Sequence, residues 1–310
     1  MQSISVSDSY VALWIRRALA ADPPRAKSLI VTVWGDALAP HGGRVWLTGL
    51  IRLLAPFDLS ERLVRTSVFR LTAEGWLARA SQGRRSRYRL TREGARRFHD
   101  AYRRIYERPA DDWRGDWELV LADRVAAPRR LDLRQELAWA GFGELGTTTF
   151  LRPHEAARAL PSILDAKGIA SSVTVAIGAD FAGRPIAQAV PEAWDLGSLA
   201  SGYRRFLARF GAVIEHFREG DAHDPEQCFV VRTLLIHAYR RVLLRDPLLP
   251  PALLPLDWPG AAAYALCRDF YRLTHRDAER HLAATLSEPG EPWPPGDDAF
   301  YRRFGGLPRE

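Results

Sequence analysis

Between Arg25 and Glu107 the chain is interrupted at short intervals by residues that end helices, and those stops limit what it can fold into. Lys27 to Leu38 is an apolar helical stretch that ends at Pro40 and the His41-Gly42-Gly43 turn. Trp46 to Ala55 carries Trp46, Leu47, Leu50, Ile51 and Leu54 at helical spacing and stops before Pro56. After a short turn, Ser60 is placed to cap a helix running to Glu74. Glu61 sits in its first turn, where the helix dipole favours an acid, and Gly75 supplies a left-handed stop. Trp76 to Ala80 and Ser86 to Leu90 read as short strands joined by the tip Ser81 to Arg85. In the second strand Tyr88 and Leu90 are expected to face inward, Arg87 and Arg89 outward. Thr91 and Glu93 open a last helix through Arg103, with Ala95, Phe98 and Tyr102 as its apolar side.

Helix, helix, helix, hairpin, helix is the order of a winged helix-turn-helix, expected over residues 25–108. Asp111 and Asp112 mark a boundary, after which Trp117 to Asp123 reads as a strand and Arg129 to Trp139 as a helix. Gly141-Phe142-Gly143 ends that helix; Thr147 to Leu151 and Ser171 to Ala179 read as further strands. Residues 112–190 are therefore expected to form a small ferredoxin-like unit. From Trp194 the pattern is helical, with Gly197 to Arg218, Gln227 to Leu244 and Gly260 to Thr285, interrupted by the proline-rich Pro247 to Pro259. This predicts a helical carboxy-terminal domain over 194–290. The fold class is α+β.

Charge divides along the chain. Residues 1–110 hold 20 Lys plus Arg against 9 Asp plus Glu, a net of +11, whereas the remainder holds 24 against 28, a net of −4. A polyanion is the partner this suggests for the amino-terminal block alone. On the helix from Ser60 to Glu74, Val64, Val68 and Leu71 form one apolar stripe suited to packing on the preceding helices. Arg62, Arg65, Thr66 and Phe69 form a second, outward stripe. In a helix-turn-helix that outward face enters the major groove, where arginine reaches guanine edges and threonine or apolar groups meet thymine methyls. Arg65 and Thr66 are the candidate base-reading residues. Arg70, on the helix shoulder, and Arg84, Arg85 and Arg87, around the hairpin tip, are candidates for phosphate contacts.

Other classes are disfavoured. No apolar run approaches the roughly 18 residues of a membrane span, and Arg16 and Arg17 follow rather than precede the apolar stretch near the amino terminus, the wrong order for a secretory signal. That stretch reads as a local helix or a frayed arm. Cys228 and Cys267 form neither a C-x-x-C pair nor a cluster with histidines, so neither a zinc site nor a disulfide framework is expected. A reducing, cytoplasmic location fits. His237 and His275 stand without a nucleophile motif, so no catalytic residue, metal or cofactor is expected and the chain is not read as an enzyme.

The stretches SLIVTVWGDALAPHGGRVWLTGLIRLLAPFDLSERLVRTSVFRLTAEGWLARASQGRRSRYRLTREG, WELVLADR and LLIHAYRRVLLRDPLLPPALLPLDWPG resemble the PaaX family of bacterial repressors, named for control of phenylacetic acid catabolism. The resemblance spans about Lys27 to Leu286, and its most specific parts are SERLVRTSVFRLTAEGWL and DPLLPPALLPLDWPG. It implies a winged helix, a central module similar to the Cas2 ferredoxin-like fold and a helical carboxy-terminal domain. It also implies a homodimer on a double-stranded operator that leaves DNA when an aryl-CoA thioester such as phenylacetyl-CoA binds. On the motif match Arg65, Thr66 and Arg70 inherit DNA reading and Gly83 to Arg87 the wing.

Two alternatives accompany this. The Cas2 likeness raises a metal-dependent nuclease with Asp123 near the end of the first strand, although a strand-end carboxylate paired with Arg124 is the plainer reading. A ligand-free architectural DNA-binding protein is the second. Arg204-Arg205 and Arg240-Arg241 are candidates for holding effector phosphates, against the commoner role of such pairs in surface salt bridges.

Overall fold

The structure, a computed structural model, describes residues 10–83, 85–107, 113–154, 160–179, 185–220 and 223–309. In chain order its first elements are α1 (Tyr10–Ala21), α2 (Ala26–Val33), β1 (Arg44–Trp46), α3 (Leu47–Leu54), α4 (Glu61–Ala73), β2 (Leu77–Gln82), β3 (Arg85–Leu90) and α5 (Arg92–Tyr106). Then come β4 (Trp117–Leu121), α6 (Ala127–Trp139), β5 (Gly143–Leu145), β6 (Thr149–Pro153), α7 (Leu160–Lys167), β7 (Thr174–Gly178) and α8 (Val190–Ala193). The long helices α9 (Leu196–Glu219), α10 (Pro225–Leu243) and α11 (Gly260–Leu286) follow, and α12 (Asp298–Arg302) is the last. The chain divides into two compact units. One takes residues 1–108, 206–240 and 262–310; the other takes 109–205 and 241–261.

In the first unit α4 packs on α2 and α3 through Val64, Val68 and Leu71, all buried as the apolar stripe requires. Ser60 caps α4 by accepting from the Leu63 amide at 3.3 Å, and Gly75 turns the chain out of it at φ 76°. Between α3 and α4 a 3-10 turn over Ala55–Phe57 closes on Asp58 in the left-handed region. The helix expected over Lys27 to Leu38 is α-helical only to Val33, then widens into a π turn, Trp34–Leu38, before a 3-10 turn ends at His41. The helix expected from Trp46 instead starts at Leu47, because Arg44 to Trp46 is drawn into a strand by pairing with β3. The resulting antiparallel sheet has the order β1-β3-β2, with Val45 opposite Tyr88 and Trp46 opposite Arg87. In α5, Ala95 is exposed, and the buried apolar side chains are Ile105 and Tyr106, beyond Tyr102.

The carboxy-terminal segment, for which no regular pattern is legible, is built into this unit. Arg303, Phe300 and Phe304 are buried, and the Arg303 guanidinium donates to the Asp36 carbonyl at 2.8 Å and to the Tyr271 hydroxyl at 2.7 Å. The Asp36 carboxylate accepts from Tyr106 at 2.5 Å and from Tyr271, and lies 3.4 Å from Arg232. Burial pushes both tyrosine hydroxyls well above their ordinary range, so each is held as a donor. Four chain segments thus meet at one fully buried carboxylate.

The second unit follows the order β-α-β-β-α-β, with an antiparallel sheet β5-β6-β4-β7. Alternation along β4 and β6 sends Val120 and Phe150 to one core with Leu133, Leu137 and Leu164, and Trp117 and Leu151 to another with Val190, Trp194 and Leu249. On the first face Arg152 donates to Glu118 at 2.7 Å, a buried pair under the Phe142 ring. Gly143 opens β5 beneath Trp194, where a Cβ would lie 2.5 Å from the indole. Strand β5 and helix α7 are additions to the expected pattern, and the expected strand Thr147 to Leu151 is shifted to 149–153. Pro247 to Pro259 holds one short 3-10 turn, Pro251–Leu253.

Candidate nucleic-acid interface

Helix α4 presents Arg62, Arg65, Thr66, Phe69 and Arg70 on its exposed side while its opposite stripe anchors it. Phe69 is 72% exposed on that side. The Arg65 guanidinium is held along the helix by Glu61, at 2.8 Å from Nε and 2.6 Å from Nη2. The Thr66 hydroxyl donates to the Arg62 carbonyl at 2.9 Å, leaving its methyl group and oxygen lone pairs for a partner. The sequence-derived stripe is therefore one continuous surface of two turns of helix.

The hairpin behaves differently. Arg84 lies outside the described residues. Arg85 is ion-paired with Glu288 at 2.8 Å and lies 4.3 Å over the Trp46 ring. Arg87, expected to project outward, is half-buried: it pairs with Glu291 and its guanidinium lies 5.2 Å from the Trp46 ring centre. The reason is the register, which sets Arg87 opposite Trp46, and the turn after α11, which brings Glu288 and Glu291 to the sheet. The Arg87 hydrogen bond holds the Glu291 carboxyl below the usual carboxylate range. Trp46, Glu288 and Glu291 escape sequence reasoning; Trp46 reads there as one more apolar position of a helix.

The other singled-out residues are dispersed. Arg204 pairs with Asp257 at 2.5 Å in the second unit, which also holds the exposed Arg205 and Arg241. Arg240 belongs to the first unit, where it donates to Thr32 Oγ1 at 2.8 Å. His237 Nδ1 lies 2.7 Å from that same hydroxyl, and His275 faces main-chain carbonyls, so both are packing histidines. Asp123 is exposed just beyond β4. Among the described residues no group of three or more His, Cys, Asp or Glu is arranged to hold a metal ion. Both cysteines are buried and unpaired, and burial pushes the Cys228 thiol up to about 12. Among the described residues no helix is long and apolar enough to cross a membrane.

Three family models cover most of the chain: PaaX-like protein over residues 25–94, PaaX protein central Cas2-like domain over 110–190, and PaaX-like protein C-terminal domain over 194–284. The chain belongs to the PaaX family. It is 35% identical over 302 residues to the transcriptional repressor PaaX of Escherichia coli K12, covering 95% of this chain and 94% of the relative. Among solved structures it is similar to an uncharacterized protein of Mycobacterium tuberculosis, at 28% identity and a TM-score of 0.50, covering 91% of this chain and 99% of that one. The Cas2-like match coincides with the β-α-β-β-α-β sheet, so the PaaX central module is the second unit's core.

Proposed function

We propose that this chain is a sequence-specific transcriptional repressor that reads a double-stranded operator with a winged helix-turn-helix over residues 25–108. The observation that carries this is α4: a capped helix fixed to α2 and α3 by its apolar stripe, with Arg62, Arg65, Thr66, Phe69 and Arg70 together on the exposed side. In this reading α3, the Asp58 turn and α4 are the helix-turn-helix and β2-β3 the wing. Arg65 and Thr66 contact base edges, and Arg70, Arg85 and Arg87 meet phosphates. Kinship to a named repressor over the length of the chain supports the same assignment. The remaining domains, 112–190 and 194–290, serve dimerisation and effector sensing, and the regulated genes belong to an aromatic, phenylacetate-type catabolic operon.

Release is assigned to an aryl-CoA thioester such as phenylacetyl-CoA, acting on a cytoplasmic homodimer. A hundredfold loss of operator affinity requires the effector to bind the DNA-incompetent state more tightly by about 2.8 kcal/mol, at about 1.4 kcal/mol per tenfold. The test is fluorescence anisotropy of the full chain on its own upstream DNA and on random DNA, with and without phenylacetyl-CoA. Preference for the upstream DNA that falls when the thioester is added supports the proposal; equal binding to both DNAs, unchanged by the thioester, overturns it.

A further inference from the structure

Helix α4 carries apolar groups on the side it turns away from the core. At about 100° per residue Val64, Val68 and Leu71 face inward, while Arg62, Thr66 and Phe69 fall within about 60° of one another on the opposite side. Leu63, Thr66 and Phe69, each one helical step from the next, form a row along that side, with Leu63 45% and Phe69 72% exposed. Helical side chains lean toward the amino terminus, so the Phe69 ring is directed over the turn that carries Thr66. The polar groups beside this row are engaged elsewhere. The Thr66 hydroxyl gives its hydrogen to the Arg62 carbonyl at 2.9 Å, which leaves the methyl group for a partner. Glu61 holds Arg65 at 2.6 Å on one flank, and Arg70 is exposed on the other. An apolar row inside a cationic border is complementary to the floor of the DNA major groove, where thymine methyl groups stand between two lines of phosphates.

We propose that Phe69, together with the Thr66 methyl group, reads the C5 methyl group of thymine in the operator. The inference rests on the repressor reading and adds to it a specificity-determining residue and the base atom that residue recognises. Thymine alone among the four bases presents a methyl group in the major groove, so the contact selects it over the other three. Closing the ring over that methyl group removes apolar surface of both partners from water, a driving force that involves no charge. The preference for thymine therefore persists as salt is raised, whereas the phosphate contacts of the same helix weaken.

The test is fluorescence anisotropy of the full chain on its upstream DNA, on the same DNA with every thymine replaced by uracil, and on random DNA. Uracil lacks only the C5 methyl group. The wild type is expected to bind the uracil DNA at least about fourfold more weakly, the worth of one buried methyl group, by a factor that does not change with salt. In Phe69→Ala, whose truncated ring is exposed and whose melting temperature is expected to match wild type, the difference between thymine and uracil DNA should disappear. Thr66→Ser, which keeps the hydroxyl and loses the methyl group, should narrow it. A wild type that prefers upstream to random DNA but binds thymine and uracil DNA equally overturns the inference and leaves the repressor reading standing. A Phe69→Ala protein that keeps the full difference does the same, since the methyl group is then read by another residue or through DNA shape. No preference for upstream over random DNA overturns both.

Discussion

Arg87 of strand β3 is ion-paired with Glu291, 204 residues further along the chain, and the pair is completed by Trp46, whose indole donates to the same carboxylate at 3.4 Å. Arg85 makes the matching contact with Glu288. Two arginines assigned to phosphate contacts are thus neutralised by carboxylates before DNA arrives. Such part-exposed pairs contribute at most about 1 kcal/mol to stability, so their removal is tolerable. E288Q/E291Q is therefore expected to bind both upstream and random DNA severalfold more tightly at low salt, with the gain shrinking as salt is raised. Anisotropy titrations across salt concentrations check this, and an affinity equal to wild type at every salt concentration contradicts it.

Asp36 is the hub of the buried polar cluster of Tyr106, Tyr271, Arg232 and Arg303. Asp36→Ala leaves two fully buried guanidinium groups without their shared carboxylate. A loss of about 3–5 kcal/mol is expected in urea denaturation of the first unit. A loss below about 1 kcal/mol would mean that the cluster is not a structural hub.

Ser60→Ala removes the side-chain acceptor at the amino terminus of α4. The expected cost is about 1 kcal/mol of stability. Urea denaturation checks it, and a variant as stable as wild type would contradict the capping role.

Burial of Glu279 works to raise its carboxyl, but the hydrogen bond from His41 and the charge of Arg232 outweigh it, and the net shift is downward. A carboxylate depressed in the folded state contributes stability above its ordinary value of about 4.3, and that contribution is lost as pH falls through the folded value. Glu279→Gln is expected to be less stable than wild type at pH 7 and to show a flatter decline in melting temperature below about pH 5. Parallel pH profiles for the two proteins would contradict this.

Much of α4 is legible from sequence because its determinants are local: the Ser60 cap, the Val64-Val68-Leu71 spacing and the Gly75 stop act within the helix itself. The strands β1 and β5 are not legible. Each is three residues long, too short for alternation to show, and each exists because a longer neighbour pairs with it. The carboxy-terminal residues carry no periodic pattern. Their position comes from contacts such as Arg303 with Asp36, 267 residues apart, which no local reading detects. For the same reason Arg85 and Arg87 read as free outward cations, whereas Glu288 and Glu291 pair with them and Trp46 lies beneath both guanidinium groups.

The central claim is that the exposed side of α4 reads base sequence. It is tested most directly by the ratio of affinities for upstream and random DNA in the wild type, Arg65→Ala and Arg70→Ala. The wild-type ratio is expected to be about 10³ or more. Arg65→Ala, which on this account removes a base contact, is expected to lower the ratio about 5- to 150-fold, the equivalent of about 1–3 kcal/mol, whereas Arg70→Ala is expected to weaken binding to both DNAs alike and to reduce the salt slope by about one. An Arg65→Ala protein that keeps the full wild-type ratio would contradict the account.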